Sequence, residues 1–208
     1  MFTDNDACII GLTGMSGAGK TTACEAFSEC GADIINCDIV SRTVVENGKP
    51  ALSELSAYFG NEIILSDGNL DRKKIGNLIF SDESSRFAFN DIIYPYISYE
   101  MIINAVKYLR DGSEYILLDS PTLFESGTDS FCDVIVSVVA EREDSIKRIM
   151  LRDNLSREEA ENRLSSQHTA EFYREKSDFC VVNNGTKEEL KEKVKTIFSL
   201  IGDTNEKK

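Results

Sequence analysis

The chain has 208 residues, 41% of them hydrophobic and 28% charged, which is enough apolar material for a packed core but includes no run long enough to span a bilayer. The acidic stretch MFTDNDACIIGL at the N-terminus lacks the positive flank of an export signal, and a formal net charge of −13 leaves no cationic surplus with which to line a nucleic-acid backbone. A few focused donors still suffice for a small phosphorylated ligand. The six cysteines form no CxxC pair and no metal-ligand spacing. Read as small buried hydrophobes, they fit a reducing, cytoplasmic compartment.

In chain order, ACIIGL at 7–12 reads as a strand that runs into a glycine-rich turn, and KTTACEAFSEC at 20–30 as the helix after it. DIINC (33–37), YILLD (115–119), VIVSVV (134–139) and FCVVN (179–183) are four more short, β-branched, nearly continuous apolar runs. Such runs fit strands buried on both faces of a parallel sheet. Helical segments separate them, so the expected fold is α/β, with a five-stranded parallel sheet flanked by helices.

Between residues 49 and 111 no core strand is legible. PALSELSAYF, DRKKIGNLIF, ESSRFAFNDII and YISYEMIINAVKYLR read as successive helices of an insertion. Its aromatics (Tyr58, Phe59, Phe80, Phe87, Phe89, Tyr94, Tyr96, Tyr99) are assigned to its core or to a groove lining. A charged helical stretch, EREDSIKRIMLRDNLSREEAENRLSSQ, occupies 141–167, and the terminal GDTNEKK reads as a frayed tail. The expected organisation is a core of residues 1–48, 112–140 and 178–208, a helical substrate domain at 49–111, and an arginine-rich lid at 141–177.

GMSGAGKT at 14–21 matches G-x-x-x-x-G-K-[ST], the phosphate-binding P-loop, and it has the required strand before it and helix after it. Its glycines allow successive amides to converge on phosphate oxygens, and the helix that follows offers open N–H groups and its positive dipole end. Lys20 reaches the β- and γ-phosphates, and Thr21 offers a hydroxyl to Mg²⁺. The core is therefore of the P-loop NTPase type, with ATP and Mg²⁺ expected.

A kinase also needs a group that orients the acceptor hydroxyl, metal support and a cover against water. Asp38, just after the second strand, suits the first role and equally suits a helix N-cap. Asp119 ends the third strand, where a metal-supporting acid belongs, and also reads as a turn residue before Ser120-Pro121. Arginines gather at 142–163. Arg148 and Arg152 are four apart on one helix face and suit either a clamp on transferring charge or a solvated surface. Arg157 and Arg163 read as partners of nearby glutamates. The sole histidine, His168, has no Ser or Cys partner at a diagnostic spacing and reads as a helix-end or surface residue.

Taken in order, several stretches resemble the dephospho-coenzyme A kinase family over nearly the whole chain. They are GLTGMSGAGKT, then Asn36-Cys37-Asp38 with Ser41-Arg42, then VVENGKPALSELSAYFGNEIILSDGNLDRKKIGNLIF. Pro121-Thr122-Leu123-Phe124-Glu125 follows, then Arg148, Arg152 and Gln167, and finally Asn183-Asn184-Gly185. The resemblance implies phosphorylation by ATP of the ribose 3′-hydroxyl of dephospho-CoA, with Mg²⁺ held by Thr21 and Asp119. Gly14, Met15, Ser16, Gly17, Ala18, Gly19, Lys20, Thr21 and Thr22 would hold the ATP phosphates, and Asn183 would lie by the adenine. Asp38 would orient or deprotonate the hydroxyl, with Arg42 near the acceptor and Lys20, Arg148 and Arg152 serving catalysis. Tyr94, Pro121 and Phe124 would face the substrate, and the insertion would form the CoA-side groove. The family's His-Pro is Tyr94-Pro95 here, the first Asp of its Asp-Ala-Asp is Asn36, a Leu is Thr122, and an acid is Val182. A P-loop kinase for a nucleoside, nucleotide or sugar acid, and a nucleotide sensor without turnover, are the alternatives. Kinases of this kind act as monomers or small homo-oligomers.

Overall fold

The computed structural model describes residues 7–205; residues 1–6 and 206–208, which hold the start of the N-terminal stretch and the end of the expected tail, lie outside the described residues. Along the chain run β1 (Cys8–Gly14), α1 (Lys20–Glu29), β2 (Asp33–Asn36), α2 (Cys37–Thr43), α3 (Pro50–Phe59), α4 (Arg72–Ser81), α5 (Glu83–Arg110) and β3 (Tyr115–Asp119). They are followed by β4 (Val134–Val139), α6 (Arg142–Asp153), α7 (Arg157–Ser165), α8 (Ala170–Lys176), β5 (Phe179–Val182) and α9 (Lys187–Asn205). Two compact units result. One comprises the chain up to Ile35 and from Tyr108 onward, the other Asn36–Lys107. No helix among the described residues is long and apolar enough to cross a membrane.

The larger unit is built on the expected five-stranded sheet, in the order β2-β3-β1-β4-β5. β1 lies at its centre, parallel to β3 and β4, with Leu12 opposite both Asp119 and Val136. Ile10, Leu12, Leu117, Val136 and Val138 are fully buried, each stabilising the sheet by about 1.5–3 kcal/mol relative to exposure. α1 packs on α9, where Phe27 meets Phe198 edge-on at 6.1 Å. The arginine-rich stretch belongs to this same core through its apolar face: Ile146, Ile149, Ala160, Leu164 and Tyr173 are all buried in it. α9 continues through Asn205, so the expected frayed tail is helical over 202–205. The buried Leu190, Val194 and Ile201 hold that helix to the core.

At the junction between α6 and α7 the chain turns on Asn154, whose φ of 53° is left-handed. Ser156 and Glu159 close a reciprocal capping box that starts α7. Arg152 chelates Asp153 with bonds of 2.8 and 2.7 Å, and Arg163 bonds the same carboxylate. Arg152 first, with Arg163 assisting, lowers the Asp153 carboxyl from 3.8 to about 2.

The smaller unit starts where Asn36 caps α2 by accepting from the Ile39 amide at 2.9 Å. Pro50 opens α3 at a position that needs no N–H, and Asp71 caps α4 through the Lys74 amide. Its core is aliphatic, formed by Val40, Val44, Leu52, Leu55, Ile63, Leu70, Ile75, Ile93 and Met101. The aromatics assigned to that core or to a groove lining are not core residues: Tyr58, Phe80, Phe87 and Tyr99 are exposed, and Phe59, Phe89, Tyr94 and Tyr96 are half-buried. Instead of two helices broken at Tyr94-Pro95, α5 is one 28-residue helix with Pro95 inside it. Pro95 is exposed and so is Asp91, so the carbonyl that loses its donor is solvated and the interruption does not break the helix.

Two outcomes follow for stability. Pro95→Ala restores a helical hydrogen bond and removes a ring clash, and should raise stability by about 1–2 kcal/mol, read as a rise in Tm of several degrees. The depressed Asp153 carboxyl contributes stability that is complete above the unfolded value of 3.8 and is lost as pH falls toward about 2. Thermal unfolding scanned over that window should show a shallower acid decline in Asp153→Asn.

Candidate active site

β1 ends at Gly14, where φ is 146° and an added Cβ would come within 2.2 Å of the Val138 carbonyl oxygen. Only glycine lets the chain leave the sheet there. The loop closes on itself through Met15 N donating to Val138 O and Ala18 N donating to Met15 O, both at 3.1 Å. Gly19, left-handed at φ 105°, begins α1 with no side-chain cap. The first-turn amides of this helix therefore lack the usual partners. Among the described residues, nothing accepts from the N–H groups of Gly17, Gly19, Lys20 or Thr21.

The carbonyl side of the loop is tied down from elsewhere in the fold. Asn183, buried just after β5, donates from Nδ2 to the Ala18 carbonyl at 2.7 Å. A trans peptide points its N–H opposite its C=O, so this bond aims the Gly19 amide away from the Asn183 side chain. Arg148 of α6 donates from Nη1 to the carbonyls of Gly17 and Asn183, each at 3.2 Å. The Ser16 amide donates to Gln167 Oε1 at 2.9 Å. Lys20 Nζ pairs with Asp119 at the end of β3, and Asp119 is itself buried. Cys24, one turn into α1, has its thiol pushed up to about 11 by burial, with Asp119 adding to the rise and Lys20 opposing it. It therefore stays protonated at neutral pH.

The expected site residues separate by surroundings. Gly14 through Thr22, Lys20, Asp119, Arg148 and Asn183 come together around the loop. The Asn183 side chain is spent on the loop itself rather than left open beside it. Thr21 is exposed in the first turn of α1, while Thr22 is buried. Arg152 is not brought to the loop; it is held by Asp153 on the surface. Arg157 bridges Glu143 and Glu161, the solvated pairing its sequence suggests. Pro121 accepts from Thr13 Oγ1 at 3.5 Å, and the Phe124 ring packs edge-on against Phe172 at 5.3 Å.

In the smaller unit, Asn36 is the cap of α2, so the N-cap reading of Asp38 is excluded. Asp38 is exposed in the helix's first turn, and its carboxylate has no hydrogen-bond or ion-pair partner among the described residues. Arg42 stands in the last turn of α2, its carbonyl accepting from Arg72. Tyr94 is half-buried on α5.

Sequence reasoning assigned no chemical role to Gln167 and dismissed its neighbour. His168 stacks on Phe172 at 3.7 Å and 13°, with Nε2 3.5 Å from Glu125 Oε1. A glutamine 151 residues from the amide it meets leaves no local signal; only its place after the arginines in the family-like order marked it.

An uncapped helix start with open amides, a lysine and a strand-end acid is equipped to hold a polyphosphate. A family model for dephospho-CoA kinase (CoaE) matches residues 8–189. The dephospho-CoA kinase of Listeria monocytogenes serovar 1/2a is 39% identical over 189 residues, 91% of this chain and 94% of the relative. TT1252 from Thermus thermophilus, a crystal structure, is 27% identical and superposes with a TM-score of 0.78 over 93% of this chain and 97% of its own. A dephospho-CoA kinase structure from Campylobacter jejuni reaches 0.70 at 23% identity, over 95% of this chain and 98% of its own, which supports the fold. The match to the family model over most of the chain, together with a relative this similar along nearly its full length, shows that this chain belongs to the dephospho-CoA kinase family.

Proposed function

We propose that this chain transfers the terminal phosphoryl group of ATP to the ribose 3′-hydroxyl of dephospho-CoA, giving CoA and ADP. The observation that carries this reading is the set of open amides of Gly17, Gly19, Lys20 and Thr21 beside the Lys20 side chain, joined to the family membership shown over most of the chain. The bond between the terminal phosphorus and its bridging oxygen breaks, and a bond from phosphorus to the 3′ oxygen forms. The hydroxyl proton passes to Asp38, whose exposed, unpaired carboxylate suits it as orienter and base. Lys20 leaves Asp119 to neutralise charge on the transferring group, and Arg148 keeps the loop in register for it. In this reading Arg152 releases Asp153 and joins the phosphates as the 141–177 segment acts as a lid. Tyr94, Arg42, Pro121 and Phe124 serve the acceptor side, and the 49–111 helices hold the CoA portion.

Mg²⁺ fits the residues present. Thr21 offers an exposed hydroxyl and Asp119 a carboxylate, and among the described residues no group of three or more His, Cys, Asp or Glu forms a closed cage. That suits an ion which keeps waters and takes phosphate oxygens as ligands. When bound, Mg²⁺ supplies positive charge to the phosphate tail. The six cysteines, held as thiols rather than disulfides, suit a cytoplasmic setting.

The test is to mix purified protein with Mg·ATP and dephospho-CoA, and to follow ADP and CoA against a panel of other hydroxyl acceptors. CoA formation is expected. Turnover of a nucleoside or sugar acid in its place would overturn the acceptor, and ATP binding without product from any acceptor would leave a sensor. Asp38→Asn should lower kcat by roughly 10²–10⁴ as loss of a general base, with ATP affinity nearly intact by calorimetry. Lys20→Ala should lower kcat by roughly 10²–10³ through lost charge stabilisation; normal turnover in either variant removes that residue from the mechanism.

A further inference from the structure

Not every amide of the loop is open. Met15 N is spent on Val138 O and Ala18 N on Met15 O. Ser16 N is the third exception, and its partner is a side chain from the far end of the arginine-rich stretch. Because an N–H only donates, the atom of Gln167 that faces it is the carboxamide oxygen. The two donor hydrogens of that carboxamide lie on the other atom, Nε2, about 2.2 Å from Oε1 by standard amide bond lengths. Nε2 has no hydrogen-bond partner among the described residues. The amide that Oε1 meets belongs to Ser16, and the next residue along the loop is Gly17, whose amide is open.

Gln167 is not a drifting surface side chain. Its own amide donates to the Leu164 carbonyl at 3.2 Å, and Leu164 is buried in the main core. The residue that follows, His168, is clamped between the Phe172 ring and Glu125. A neutral donor already tied to the loop through Ser16, at the edge of a row of phosphate-seeking amides, is placed to meet charge as it develops.

We propose that Gln167 is a catalytic residue: the Ser16 amide holds its oxygen, and its Nε2 donates to the terminal phosphoryl oxygens as charge builds on them. Ser16 thus orients the glutamine, while Gly17, Gly19, Lys20 and Thr21 hold the phosphates. The assignment rests on the kinase reading above and adds a donor to it. No bond to Gln167 forms or breaks, and its neutrality lets it serve without adding to the charge of the site.

Gln167→Glu separates this role from a structural one. A carboxylate still accepts from Ser16, so the anchor survives, but the donor is gone and a negative charge stands in its place. Gln167→Leu removes both while keeping the volume. In steady-state assays with Mg·ATP and dephospho-CoA, both variants should lose kcat on the order of 10²-fold, with KM for dephospho-CoA changed less than about twofold and Tm unchanged. Calorimetry gives a second reading that needs no acceptor. A non-hydrolysable ATP analogue should bind Gln167→Glu about tenfold more weakly than wild type, and ADP should bind both alike. Wild-type turnover of Gln167→Glu, equal losses for the analogue and ADP, or tighter analogue binding by Gln167→Leu would each overturn the proposal. The last result would mean that Oε1 only occupies a phosphate position. If Gln167→Leu fails to fold, the Gln167→Glu readings decide. A wild-type chain inactive on dephospho-CoA breaks the acceptor assignment alone, because the analogue-to-ADP comparison still reports on Gln167.

Discussion

The carbonyl of Ala18 decides which way the phosphate loop faces. Asn183 grips it from the buried side, and peptide planarity sends the following amide the opposite way. Gly19 then turns the backbone left-handed, and α1 starts with its first amides uncommitted. Arg148 on the Gly17 carbonyl and Gln167 on the Ser16 amide hold the same loop from α6 and from the segment after α7. An added Cβ at Gly19 would come within 2.5 Å of Asn183 Nδ2, so the close approach and the glycine require each other. Loop, strand end and helix start form one device, and the central position of β1 gives it a rigid base.

An acidic protein built for a polyanion has to spend its cations selectively. Lys20 and Arg148 reach the loop, and both are held inside the fold by groups placed for them: Asp119, and the carbonyls of Gly17 and Asn183. The surface arginines Arg152, Arg157 and Arg163 are tied to carboxylates, and such exposed pairs add little stability individually. The net charge of −13 is thus compatible with a locally donor-rich site, because the donors that matter are mostly uncharged amides.

The departures from the family pattern have physical readings. Asn36 caps α2, and asparagine does this as well as aspartate, so the helix that carries Asp38 keeps its start at the cost of one charge. Tyr94 precedes Pro95 in the middle of α5, and the helix absorbs that proline because the affected carbonyl lies on its wet side. The smaller unit draws its stability from aliphatic contacts among its helices, which leaves its aromatic rings exposed or half-buried.

Strands, phosphate loop and most helix starts were readable in the primary structure because each is decided within a few residues: by unbroken apolar runs, by glycine spacing, by Pro50 and Asp71 at helix entries. The start of α2 was not, since Asp38 suits its cap by sequence and Asn36 takes that place. The family order reached further: it marked Gln167 as a place without a contact and put Asn183 by the adenine, without showing that its side chain grips the loop. The continuity of α5 and the helical residues 202–205 were misjudged, because proline and polar composition are local penalties that solvation and core packing override. Three of the bonds that shape the site join residues 131 to 165 positions apart. Nothing local encodes such pairings. They exist only once the strands have set the ends of β3, β1, β4 and β5 along one edge of the sheet and brought α6 and the end of α7 to the loop, so it was the folded chain that made Arg148, Gln167 and Asn183 neighbours of the loop groups they hold.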